Sequence, residues 1–192
     1  MHYAGGMETK TLPSPARGQI LLVVTPAASL GSLFEMVARM ALAGPLTVLD
    51  GGNCFQGYGL ARSLRRQLDD PEVLDRALHN VLLSRVFTCY QMETLLSEGA
   101  FESAPILVLD FLATFYDQGV RVADRRRLLE LCLGRLRAIS KRAPVAVWVR
   151  QRPVIPQEGL SFLGQVRAAA GQVFAPTPLP TAPVRQPMLF GI

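Results

Sequence analysis

Two aspartates stand at the ends of apolar runs, where a carboxylate is well placed for metal or phosphate chemistry. Asp50 ends the run at 46–50 and Asp110 ends the run at 105–110. Carboxylate oxygens bind Mg²⁺ in many phosphate sites. The same side chains can instead accept hydrogen bonds from N–H groups of a turn or a helix end. The pattern leaves both interpretations open.

The remaining reactive side chains offer less chemistry. Cys54, Cys89 and Cys132 are far apart and form no C-x-x-C pair, which argues against a disulfide framework or a structural zinc site and fits a reducing, cytoplasmic environment. His2 and His79 are too few for a histidine metal centre. No histidine is suggested as a partner for a serine nucleophile. We therefore predict no metal site.

The length, hydrophobicity and charge of the chain limit the classes of protein to which it can belong. The 192 residues suit one domain with extensions, and a hydrophobic fraction of 49% excludes wholesale disorder. No apolar run is long enough to span a bilayer. The net charge is +5, and all basic residues except Lys10 and Lys141 are arginines. A GC-rich genome explains this bias, and so does an anionic partner such as nucleic acid, because arginine forks match phosphate oxygens.

The hydrophobic pattern alternates between short strands and amphipathic helices. Ser32, Asp70 and Thr88 are the expected helix caps. Apolar strands that alternate with helices indicate an α/β fold with a mostly parallel sheet covered on both faces, whose ligands lie at the carboxyl ends of the strands. The predicted strands are 19–25, 46–50, 80–87, 105–110, 144–149 and 171–175, and the predicted helices are 32–43, 58–68, one opening at 70–71, 89–98, 123–141 and 160–169.

Four short signatures occur in order along the chain: 50–55 (DGGNCF), 80–91, the run 106–110 that ends at Asp110, and Gln151 after the fifth strand. Together, across 19–175, they resemble the motifs of the RecA/RadA/KaiC superfamily of recombinase-type ATPase cores. The resemblance implies a RecA-like three-layer core at 19–175, with a mostly parallel central sheet flanked by helices. Composition predicts a flexible leader at 1–18 and an extended Pro-rich tail at 176–192. The signatures are 50–55 (DGGNCF) for D-x-E-G-x-F, 80–91 for N-(I/V)-L-V-A-R-A-(F/Y)-x-x-x-Q, the Walker B-like 106–110, and Gln151 after the fifth strand.

The phosphate cradle of that family, G-x-x-x-x-G-K-[ST], is degenerate in this chain. Pro26 replaces the first glycine and Gly31 survives. Ser32 and Leu33 replace the lysine and the metal-binding hydroxyl, and Gly52 stands where the family has its catalytic glutamate. Phosphoryl transfer depends on positioned charges, so the resemblance predicts a scaffold that is not an enzyme and has no cofactor.

One element of the nucleotide pocket remains in place, the Walker B-like Asp110. Arg150 or Arg39 is the alternative source of a cation for the phosphates, although an arginine fits the compact lysine site poorly. A cation from either would make the chain a nucleotide sensor or an ATPase with a rebuilt phosphate site.

A second feature is the placement of arginines after the fourth and fifth strands. In RecA-like proteins the loops there face DNA, so the resemblance implies a basic rim that binds phosphates independently of sequence. The alternative is a solvated helix face paired with nearby acidic residues. No aromatic-rich run suggests stacking on single strands. The rim consists of Arg121, Arg125, Arg126, Arg127, Arg150 and Arg152.

The tail carries a short motif, Q-x-x-L-F, formed by Gln186, Leu189 and Phe190. It resembles the motif by which bacterial polymerases and repair factors bind the sliding clamp, although Pro187 stands where leucine is common. An extended tether would present the two apolar side chains to a pocket while the glutamine forms hydrogen bonds. The alternative is that 188–190 packs on its own domain or on a neighbouring subunit of a homo-oligomer.

Together these observations favour a non-catalytic RecA-like paralog that acts as an accessory in DNA recombination or repair. Its expected partners are DNA, a recombinase or the sliding clamp, and no membrane. The second hypothesis is a KaiC-like regulatory module that binds a protein partner without DNA.

Overall fold

A computed structural model describes residues 12–26, 30–99, 101, 104–151 and 157–175, with the backbone alone for 157–160. One six-stranded sheet forms the centre of this structure. Every strand pair is parallel. The strands are β1 (Ile20–Pro26), β2 (Leu46–Asp50), β3 (Val81–Arg85), β4 (Ile106–Leu109), β5 (Val145–Gln151) and β6 (Gln172–Phe174).

Helices follow the strands in alternation, so the predicted α/β fold is confirmed. Within the described ranges no helix combines the length and hydropathy needed to cross a membrane. A short 3₁₀ helix, Phe111–Phe115, follows β4. The α-helices are α1 (Leu30–Ala43), α2 (Gly57–Arg65), α3 (Pro71–His79), α4 (Cys89–Glu98), α5 (Val122–Ser140) and α6 (Gln157–Ala169).

The strand order β3-β2-β4-β5-β1-β6 places the carboxyl end of β2 beside that of β4. Helices α1, α2 and α3 pack on one face of the sheet, and the 3₁₀ helix, α4, α5 and α6 pack on the other. The chain therefore leaves β2 and β4 towards opposite faces. In parallel sheets this divergence opens a crevice at the carboxyl ends, which is where ligands bind.

Two of the three predicted helix caps are confirmed. The Asp70 carboxylate accepts a 2.9 Å hydrogen bond from the N–H of Glu72, and α3 follows with Pro71 in its first turn. Thr88 Oγ1 accepts a 3.1 Å hydrogen bond from the N–H of Gln91 at the start of α4. The prediction for Ser32 is wrong, because α1 begins at Leu30 and places Ser32 inside the first turn.

The expectation of a sheet covered on both faces is wrong at β3. This strand lies at one edge of the sheet, and both Leu82 and Leu83 are exposed. On α5, Leu131 is exposed, whereas Leu129 and Leu133 are buried.

The packed domain begins before the predicted boundary at residue 19. Leu12 is buried beside α1, and its carbonyl accepts a 2.7 Å hydrogen bond from Arg39 Nη2. The N–H of Gly18 donates to the carbonyl of Ser140 at the end of α5. Leu12 and Gly18 of the predicted leader therefore contact the packed domain, while 1–11 and the tail 176–192 lie outside the described residues.

Candidate functional site

An ion pair between Asp110 and Arg150 occupies the carboxyl ends of β4 and β5. Arg150 Nε donates a 2.7 Å hydrogen bond to Asp110 Oδ2, and Arg150 Nη2 donates to the same oxygen. The Asp110 side chain is 1% exposed and that of Arg150 is 26% exposed. Burial alone would lower the pKa of Arg150, but the hydrogen bonds and negative charge of Asp110 outweigh it, so this pKa lies above its ordinary value. The acidic charge at the Walker B-like position is thus balanced within the chain.

The backbone at Asp110 is held in an unusual conformation. Its φ of 45° and ψ of 47° lie in the left-handed region, which costs a residue with a side chain about 1 kcal/mol or more. This turn directs the carboxylate towards β5, where the N–H of Arg150 also approaches Asp110 Oδ1 at 3.4 Å. The ion pair and the turn therefore stabilise each other.

The Gly51–Gly52 segment closes over this ion pair. Arg150 Nη2 donates to the carbonyl oxygen of Gly52 at 3.3 Å. A Cβ atom added at Gly52 would lie 2.5 Å from Asp110 Cβ and 2.8 Å from Arg150 Nη2, closer than packed atoms approach. The position that the resemblance assigns to a catalytic glutamate therefore has no room for a side chain while the pair is formed.

Asp50 has the structural role that the sequence left as an alternative. Its carboxylate accepts hydrogen bonds from the N–H groups of Cys54 at 3.1 Å and Phe55 at 2.8 Å. Asn53 in this turn has a φ of 49°, which an asparagine tolerates. The interpretation of Asp50 as a strand-end carboxylate satisfied by turn N–H groups is confirmed.

The residues that the resemblance assigns to the phosphate cradle lie at the junction between β1 and α1. Pro26 ends β1 beside Gln151 of β5, and residues 27–29 lie outside the described part of the chain. Gly31, Ser32 and Leu33 belong to the first turn of α1, where the Leu33 side chain is fully buried in the core. Leu33, which the resemblance places at the position of a metal-binding hydroxyl, is therefore a core residue.

Both arginines proposed as substitutes for the cradle lysine have hydrogen-bond partners within the chain. Arg39 donates to the carbonyl of Leu12, and Arg150 is engaged by Asp110. Among the described residues no group of three His, Cys, Asp or Glu side chains could hold a metal ion.

The predicted basic rim is only partly exposed. Arg126 and Arg127 are exposed, and so is Arg121, whose Nε lies 2.9 Å from Asp124 Oδ2. The assignment of Arg150 to this rim is not supported, because its guanidinium lies within the ion pair. Arg152 lies outside the described residues.

Arg125 of the predicted rim is buried. This residue is 6% exposed, and its Nη1 donates a 3.1 Å hydrogen bond to the carbonyl of Phe115. Its guanidinium carbon lies 5.9 Å from the centre of the Phe162 ring, within cation–π range. Arg125 therefore joins the 3₁₀ helix, α5 and α6 and does not face solvent.

Replacing Arg125 with alanine is expected to lower the free energy of unfolding by about 2 kcal/mol, because a charged hydrogen bond and its packing are lost. Replacement of exposed Arg126 with alanine is the matched control and should change stability by no more than about 0.5 kcal/mol. Urea unfolding followed by Trp148 fluorescence measures both. Equal effects of the two substitutions would contradict the structural role.

The three thiols are poor nucleophiles in the folded protein. Burial and the charge of Asp50, which also accepts a hydrogen bond from the thiol, raise the pKa of Cys54 to about 12. Burial chiefly raises the pKa of Cys132 to about 12 and also raises that of Cys89. Thiolate chemistry at neutral pH is therefore disfavoured.

These thiol pKa values predict loss of stability in alkali. In the unfolded chain the thiols ionise near their ordinary pKa of 9.0, whereas Cys54 and Cys132 resist ionisation in the folded protein until about pH 12. The unfolded state therefore loses protons first, and the free energy of unfolding should fall as pH rises from about 9 towards 12. Urea unfolding across this range should show a shallower fall for a Cys54→Ala, Cys132→Ala variant. An identical pH profile for both proteins would contradict this assignment.

The predicted 80–91 signature is explained largely by structural contacts. Asn80 Nδ2 donates to the carbonyl of Ala41 at 2.8 Å, which ties the start of β3 to α1. The N–H of Phe87 donates to Gln91 Oε1 at 2.9 Å, and the N–H of Gln91 donates to Thr88. These reciprocal bonds form a capping arrangement at the start of α4.

No protein-family model matches the sequence of this chain, and no curated protein matches it either. The functional argument therefore depends on the chemistry of the residues at the carboxyl edge of the sheet. Sequence reasoning had assigned Arg150 to the basic rim, or to the nucleotide pocket as a substitute for the lysine, and had not predicted its ion pair with Asp110. Their positions on successive parallel strands were the signal that could have joined them, since β4 and β5 are neighbours.

Proposed function

We propose that this protein is a non-catalytic RecA-like paralog that acts as an accessory in DNA recombination or repair by binding DNA or a repair partner. The observation that carries the proposal is the Asp110–Arg150 ion pair under the carbonyl of Gly52. In an active site of this kind the acidic side chain would help to position a metal and phosphates. Here Arg150 of the same chain forms an ion pair with the Asp110 carboxylate and so balances its negative charge.

The cradle residues support the same proposal. Leu33 contributes to the core instead of binding a metal, and a side chain at Gly52 would collide with the ion pair. Restoring a single element would therefore leave the other losses in place. A RecA-like protein without a nucleotide site would act by binding partners at its surface.

A DNA partner is supported by charge. The chain has a net charge of +5, and Arg121, Arg126 and Arg127 are exposed at the start of α5. Exposed arginines bind phosphates without reading the bases. Such binding weakens steeply as salt increases, because less entropy is gained when counterions leave the DNA.

Two measurements on the full chain test the proposal. Mg-ATP and Mg-ADP should leave the melting temperature unchanged, because a ligand that binds only the folded state would raise it. Fluorescence anisotropy with labelled DNA should show binding that weakens as salt increases. A rise of several degrees with Mg-ATP that is lost in Asp110→Ala, or no DNA binding together with no repair protein captured, would contradict the proposal.

A further inference from the structure

The second half of α5 presents a basic surface to solvent. Residues 131–143 contain four cationic side chains and no acidic one. Within the described part of the chain no salt bridge engages any of the four. The negative end of the helix dipole attracts cations to the last turn, but it does not account for a cation that lies before that turn. The four exposed cations are Arg135, Arg137, Lys141 and Arg142.

An apolar strip runs along the middle of this basic surface. Leu131, Gly134 and Ala138 recur at intervals of three and four residues, so they share one face of the helix, and we refer to them as the α5 strip. All three residues are exposed, Leu131 by 43%. Because successive residues of a helix are rotated by about 100°, Arg135 lies on one side of the strip and Arg137 on the other.

The α5 strip is open to the close approach of another chain. A Cβ atom added at Gly134 would meet nothing within 4 Å. On the opposite face of α5, Leu128, Cys132 and Leu136 belong to the hydrophobic core, so the helix presents the strip in a defined orientation. Helices pack with their axes about 8–10 Å apart, and small residues at the contact permit the shorter distances. The strip is therefore suited to packing against a second helix.

This chain offers no segment that matches both the charge and the apolar character of the surface. The stretch 69–79 has exposed acidic side chains, but none of the exposed large hydrophobic residues lies in it. The tail 176–192 contains apolar residues and no acidic one, and 1–11 contains a single acidic residue, Glu8, together with Lys10. Charge complementarity therefore favours a segment of another protein over a second copy or the chain's own ends.

We propose that the α5 strip binds an acidic amphipathic helix of another protein. The apolar side chains of that helix would pack on Leu131, Gly134 and Ala138, and its carboxylates would lie beside the flanking cations. Nucleic acid suits this surface less well, because phosphates placed over the leucine and the small residues would lose hydration without gaining a partner. This inference rests on the partner-binding part of the proposed function and names the surface and the chemistry of the partner.

Fluorescence anisotropy with two labelled synthetic peptides tests the proposal on the full chain. Both peptides are about 20 residues of leucine, alanine and glutamate, long enough to form a helix on binding. In the first peptide the leucines form one helical stripe flanked by glutamates, and in the second the same residues are shuffled. The striped peptide should bind at least about ten-fold more tightly than the shuffled one. Gly134→Leu should weaken its binding by about ten-fold or more, because a bulky side chain then occupies the point of closest approach.

A pair of charge reversals tests whether the cations beside the strip contribute. Arg135→Glu, Arg137→Glu should weaken binding of the striped peptide by about ten-fold or more. Arg126→Glu, Arg127→Glu is the matched control, since it makes the same change in net charge at least about 12 Å away along the helix, beyond the Debye length of about 8 Å at physiological salt. The control should weaken binding clearly less. All of these positions are exposed, so the melting temperatures of the variants should stay close to that of the wild type.

Three other outcomes would overturn the proposal. The first is equal binding of the striped and shuffled peptides, or equal binding of the striped peptide by the wild type and Gly134→Leu. The second is binding of duplex DNA that falls in Arg135→Glu, Arg137→Glu but not in the control pair, which would assign the surface to nucleic acid. The third is a dimer in sedimentation that the same pair dissociates, which would assign it to a second copy. The melting temperature in Mg-ATP, which tests the proposed function, does not depend on the α5 strip.

Discussion

Replacement of Arg150 with methionine is expected to lower the free energy of unfolding by about 3 kcal/mol, the largest effect of any single side chain in the site. The substitution leaves the Asp110 carboxylate buried beneath Gly52 without the guanidinium that balances it. For a domain of this size the melting temperature should fall by roughly 10 °C. Urea unfolding and calorimetry measure the two quantities.

A double-mutant cycle with Asp110→Asn isolates the ion pair from the rest of the site. Asparagine keeps the shape of the side chain and tolerates the left-handed backbone that Asp110 adopts. Combining Asp110→Asn with Arg150→Met should therefore cost clearly less than the sum of the single changes. Arg150→Lys should recover only part of the stability, since an ammonium cannot form the forked contacts to Asp110 and Gly52. Additive effects of the two single changes would contradict a coupled pair.

The second large effect is expected at Gly52. An alanine there must displace Asp110 or Arg150, because its Cβ would lie within 2.8 Å of Arg150 Nη2. We expect a loss of about 2–3 kcal/mol, as for other overpacked sites. Gly52→Glu, which restores the residue type of the RecA-like family, should be at least as destabilising and should produce no ATPase activity.

Gly134 provides a matched control for the same chemical change. It lies exposed inside α5, and a Cβ there would meet nothing within 4 Å. Gly134→Ala should therefore raise stability by roughly 0.5–1 kcal/mol, because alanine favours the helix. If Gly52→Ala lowers the free energy of unfolding while Gly134→Ala raises it, the loss at Gly52 is caused by the close contacts of the added Cβ atom. A neutral or stabilising Gly52→Ala would show that the Gly51–Gly52 segment does not close over the ion pair.

Local patterns predicted most elements of the fold closely. The residues of β2 and α4 were predicted without error, and the caps Asp70 and Thr88 follow from side-chain chemistry within a few residues. β3 was predicted too long, and its edge position was missed, since an apolar run does not reveal whether a helix covers it.

The sequence by itself determined the α/β character of the chain and the helix caps at Asp70 and Thr88, because each depends on residues close together along the chain. Tertiary structure alone decided which arginines face solvent. Arg125 and Arg126 are adjacent, yet one is buried against Phe115 and Phe162 and the other is exposed. Strand order likewise brought Arg150 to Asp110 across 40 positions of sequence. The energy of a charged side chain depends on the distant segments that surround it, and those neighbours exist only once the sheet has formed.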